Sequence, residues 1–151
     1  MNNKNFYLFF VFILFLLCLE IHTKIFFNPY APNFLLIYFA YILYTHKPFY
    51  QAIFCIMSIE LVSFLQTGIV GLSSIILIPL SLHFKTIKKF LHIKIVAPCL
   101  SIFIYDILFE LISSWCLSFP YLISNIIIHT IVNELLLLLL LTITPTPMEN
   151  K

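Results

Sequence analysis

Apolar residues in this chain do not alternate with polar ones; they run in blocks, parted by short polar or proline-bearing stretches. Six blocks can be drawn, at 5–21, 31–45, 49–66, 69–84, 95–117 and 121–141. Uninterrupted apolar runs of this length predict helices whose surroundings are oil, because only a helix satisfies its backbone polar groups within one segment. The second and fourth blocks are short for a hydrocarbon core of ~30 Å. The breaks carry turn chemistry. In "NPYAPN" (28–33) two prolines bias the preceding residues away from helix, and Pro32 suits a first helical position. "THKPF" turns the second block into the third, and "SFP" turns the fifth into the sixth. The two glycines, Gly68 and Gly71, fall in "TGIVGLSS", where the third helix must reverse into the fourth. Pro79 and Pro98 are expected to loosen the helices that contain them.

Composition turns this pattern into a fold class. Of 151 residues, 62% are hydrophobic and 9% charged, against roughly 45–50% and 25% in soluble domains. The expectation is an all-α integral membrane protein, one compact bundle of about six transmembrane helices with no separate soluble domain. The four cysteines sit inside apolar blocks without metal-ligand spacing and read as small hydrophobes. The first block lacks a small-residue cleavage site and reads as a retained helix rather than a signal peptide.

Charge then orients the bundle. With the N-terminus cytoplasmic and six crossings, Lys4, Lys47, Lys85, Lys88, Lys89, Lys94 and Lys151 lie inside, and only Lys24 lies outside. The cluster "KTIKKFLHIK" (85–94) becomes a basic cytoplasmic loop with a membrane-surface role, and 142–151 a polar tail. The cluster's place between two apolar blocks argues against nucleic-acid binding.

Against this background the buried acids stand out. Glu60, Asp106, Glu110 and Glu134 lie well inside their blocks, where an unpaired charge costs on the order of 2.5–3.5 kcal/mol on insertion scales. Helical spacing groups them with other polar residues: Glu60 with Ser63 and Thr67, Asp106 with Glu110 and Ser113, and Asn125 with His129 and Asn133. The expectation is a polar seam between the third, fifth and sixth helices. Such a seam glues helices together, carries a proton or ion, or contacts a ligand or partner. No nucleophile–base pair or metal-ligand spacing supplies an enzyme reading, and no cofactor is expected.

"APNFLLIYFAYIL" at the second helix, the acid and glycine of "ELVSFLQTG", and the acid in "IFIYDILFEL" together resemble the rod-shape-determining MreD family of bacterial inner-membrane proteins. The likeness runs from about Pro32 to Leu141. Pro32 and Asn33 match the pair that opens the family's second helix, and Glu60 stands for its first aspartate. Asp106 stands for its second aspartate, and 85–94 for its basic loop. The resemblance implies a non-enzymatic scaffold in the cell inner membrane. Its partners would be a single-span MreC-like protein and, through it, MreB-like filaments, RodA and penicillin-binding proteins. Glu60, Gly68, Gly71, Asp106, Glu110, Asn125, His129, Asn133, Pro32 and Asn33 would serve the bundle or the partner contact. The competing expectation is the substrate-binding membrane component of an energy-coupling vitamin transporter. Such components dock through small-residue faces on the first helix, which "FYLFFVFILFLLCLEI" lacks.

Overall fold

A computed structural model describes residues 3–27, 31–45, 49–90, 95–117 and 123–143. All the secondary structure among these residues is helical: α1 Asn3–Phe27, α2 Phe34–Tyr44, α3 Phe49–Thr67, α4 Leu72–Phe90, α5 Val96–Leu117 and α6 Ile123–Ile143. Helices α1, α3, α5 and α6 each contain a stretch long and apolar enough to cross a membrane, which makes this a multi-pass membrane protein by length and composition. The other two have shorter apolar stretches. α2 has 11 residues, about 16 Å at 1.5 Å per residue, and the apolar part of α4 ends at Phe84. The expected set of six crossings is therefore four helices with spanning-length apolar stretches and two whose apolar stretches fall short of a ~30 Å core.

Helix α2 sits at the centre. It packs on α1, α3, α5 and α6, while α4 closes the far side by packing on α3 and α5. Its burial follows from its sequence: Leu35, Leu36, Ile37, Phe39, Ala40 and Ile42 are all buried, covering most of its circumference. They join Phe9, Ile13 and Leu16 of α1, Ala52, Cys55, Ile56 and Ile59 of α3, and Leu137 and Leu141 of α6 in one core. Aromatic edges seal the α1 flank, with Phe12 against Tyr38 at 5.0 Å and Phe9 against Tyr50 at 6.1 Å.

Several boundaries differ from the sequence expectation, each for a local reason. α1 continues past residue 21 because its polar residues bond along the helix: Glu20 pairs with Lys24 at 3.0 Å, and the Thr23 hydroxyl donates to the Glu20 carbonyl. α2 begins after Asn33, so Pro32 precedes the helix rather than opening it. α4 begins at Leu72 rather than 69, because Gly68 (φ 71°) and Gly71 (φ 91°) both adopt the left-handed region and hold the turn open until then. At its other end α4 runs on to Phe90, so residues 85–90 of the expected loop are helix. No glycine or proline interrupts "KTIKKF", and lysines suit a helix C-terminus. Pro79 lies within α4, which passes through it.

Candidate functional site

The polar side chains form hydrogen bonds at two helix starts and at the middle of the bundle. The first start is that of α4. Gly71 occupies its N-cap position, since its carbonyl accepts the first intrahelical bond from Ile75. An N-cap residue ordinarily supplies a side-chain oxygen to the orphan N–H groups behind it, and glycine has none. Glu60 of α3 supplies it instead. One carboxylate oxygen accepts from the Gly71 N–H; the other accepts from the Ser74 N–H at 2.8 Å and the Ser74 hydroxyl at 2.9 Å. A carboxylate there also meets the positive end of the helix dipole. The preceding helix closes just before this, with the Gly68 N–H donating to the Phe64 carbonyl at 2.8 Å.

The start of α2 is built the same way one hairpin earlier. Asn33 is its N-cap, and its own side chain makes no capping bond. Glu20 of α1, only 2% exposed, accepts the Leu35 N–H at 2.8 Å and is neutralised by Lys24. Lys24 in turn donates to Gln66 of α3 at 3.4 Å. Each of these two helices thus has at least one orphan donor bonded by a glutamate from the helix before it.

The third group joins the middles of α5 and α6. Asp106, 5% exposed near the centre of α5, accepts from Thr130 Oγ1 at 3.2 Å and Asn133 Nδ2 at 3.3 Å, both on α6. Asn133 has no exposed surface at all, and its carbonyl oxygen accepts the Asn33 N–H at 2.9 Å. This single amide therefore ties α6 to α5 on one side and to the start of α2 on the other. Beside Asp106, Tyr105 Oη lies 2.8 Å from Ser73 Oγ, joining α5 to α4. The ties put the start of α2 at the level of the centres of α5 and α6, and bring the first turn of α4 beside Tyr105.

The structure does not join Glu60 to Asp106, as a single seam through α3, α5 and α6 requires. The two acids serve different helix junctions, because Glu60 turns toward α4 while Asp106 turns toward α6. Thr67 bonds within its own turn, donating to the Ser63 carbonyl at 2.9 Å and accepting the Ile69 N–H at 3.2 Å. The Ser63 hydroxyl is buried without a partner. Glu110 is half-buried one turn beyond Asp106, and its backbone carbonyl accepts the Ser113 hydroxyl at 3.2 Å. His129 and Glu134 are half-buried on α6. Asn125 falls in the first turn of α6, and its side chain lies outside those described.

Sequence reasoning missed Glu20, Ser73, Ser74, Tyr105 and Thr130 as members of these clusters. A usable signal existed for Glu20. It precedes Leu35 by 15 residues, and Glu60 precedes Ser74 by 14, so an acid-to-helix-start interval repeats along the chain. No family model, no curated protein and no solved structure matches this chain.

Proposed function

We propose that this protein is a membrane scaffold subunit of the bacterial cell-elongation machinery, as its resemblance to the MreD family implies. In this reading it lies in the inner membrane with both termini cytoplasmic. It holds the single transmembrane helix of an MreC-like partner, and through that partner it couples MreB-like filaments to RodA and penicillin-binding proteins. The observation that carries the reading is the Asp106–Asn133–Asn33 linkage. Its groups bond one another across three helices, as parts of a frame do, and hold the bundle in one arrangement against which a partner helix can pack. The partner contact belongs on the flanks of α1 and α6, whose apolar windows are only 22% buried, against 33% for α3 and 39% for α5.

The vitamin-carrier alternative draws on the same geometry, because helix starts within a bundle are ready anion sites. Here Glu20 and Glu60 already occupy both of them, which counts against an anionic cargo at those points.

Co-expression with the single-span MreC-like protein of the same genome tests the scaffold. Asp106→Leu and Glu60→Leu should insert normally yet lower partner co-purification several-fold, and cells depleted of the protein should round up. Unchanged co-purification in both variants, together with rods that persist on depletion, would remove the reading.

A further inference from the structure

One stripe of α4 continues from lipid into charge. Ile75 (69% exposed), Ile78 (48%) and Leu82 (64%) follow one another at intervals of three and four, so they lie on one helix face. The buried residues Leu72, Ser73, Ile76, Leu77, Leu80 and Phe84 turn the opposite way, toward α3 and α5. Because α4 stays helical to Phe90, the same row extends in register to Lys85 and Lys89, with Lys88 one turn from Lys85. Ile75 to Lys85 spans about 15 Å along the axis, comparable to much of an acyl chain.

Lys85, Lys88 and Lys89 have no acidic neighbour close along the sequence. No acidic residue stands between Glu60 and Asp106 in the sequence. Of the two helices that pack on α4, α3 carries Glu60, bound at the opposite end of α4. α5 carries its acids at Asp106 and Glu110, the nearer about 15 Å along its axis from Val96. The α4 C-terminal dipole offsets only about half a charge. Nor can α4 slide to carry the lysines away from the bilayer surface, since Glu60 and the Ser73–Tyr105 bond hold its start inside the bundle.

We propose that this face of α4 binds an anionic phospholipid. The lipid's phosphate lies at the level of Lys85, Lys88 and Lys89, and an acyl chain runs along Leu82, Ile78 and Ile75. The inference does not depend on the scaffold reading, since it rests on α4 alone.

The test uses the full-length protein in detergent, titrated with phosphatidylglycerol, phosphatidylcholine or inorganic phosphate and read by native mass spectrometry. Phosphatidylglycerol should bind about tenfold more tightly than phosphatidylcholine, and inorganic phosphate at equal concentration should not displace it. Since a lysine at a membrane surface contributes on the order of fivefold, the K85Q/K88Q/K89Q variant should lose tenfold or more, and K85R/K88R/K89R should retain binding. Equal binding of the two lipids, or displacement by free phosphate, overturns the site. So does unchanged phosphatidylglycerol binding in the glutamine variant. The lysines also set orientation; should the glutamine variant fail to insert, the wild-type competition decides alone.

Discussion

At Glu60 three donors from one helix start converge on a single carboxylate, and the residue at that N-cap is a glycine. The two facts explain each other. Gly71 takes φ 91°, a region that costs an L side chain roughly 1–2 kcal/mol, so the position that ordinarily carries a capping side chain cannot hold one cheaply. A Cβ built at Gly68 or Gly71 meets nothing within 4 Å, so the constraint is conformational rather than steric. Gly71→Ala and Gly68→Ala should each therefore lower stability by about 1–2 kcal/mol in thermal unfolding in detergent, without changing the fold. A loss well above that would mean crowding decides these positions.

At the scale of the element, α2 and α4 are each completed by a neighbour. Both start with an orphan N–H bonded to a glutamate of the preceding helix, so each pair of helices closes as one unit. Removing the acid should loosen the following helix and leave the acid's own helix intact. In hydrogen exchange, Glu20→Leu should speed exchange at Leu35, and Glu60→Leu at Gly71 and Ser74. Each uncapped start should cost about 1–3 kcal/mol, the penalty for a buried donor without a partner. Faster exchange confined to α1 or α3 would contradict the assignment.

This device marks how far the sequence could be read. Apolar blocks located all six helices, because oil-facing length is written directly into composition. Which helix a buried acid serves was not written there. Helical spacing puts Glu60 on a face with Ser63 and Thr67, but its carboxylate reaches backbone N–H groups, which every residue but proline possesses and no motif marks. The same holds for Glu20, whose neutralising Lys24 falls between the first two apolar blocks in the sequence.

Across the whole molecule, α5 and α6 are joined at their centres through Asp106, Asn133 and Thr130, and the central helix α2 hangs from that junction through Asn33. Apart from this junction, the two glutamate-bonded helix starts, the Ser73–Tyr105 bond and the Lys24–Gln66 bond, the described contacts between helices are mostly apolar packing, which in lipid favours close fit over any particular partner. These polar ties therefore fix the arrangement of helices. Asn133 is the residue on which this depends most, as its amide both donates and accepts between separate helices. The sequence placed Asn133 among the polar positions of α6 by spacing. That it meets Asp106 and the Asn33 backbone together is a property of the tertiary fold. A double-mutant cycle on Asp106→Ala and Asn133→Ala, read as unfolding free energy in detergent, measures the junction directly. The account predicts a coupling of at least about 0.6 kcal/mol, the average for hydrogen bonds between membrane helices, whose maximum is about 1.7 kcal/mol; losses that add to within about 0.3 kcal/mol would contradict it.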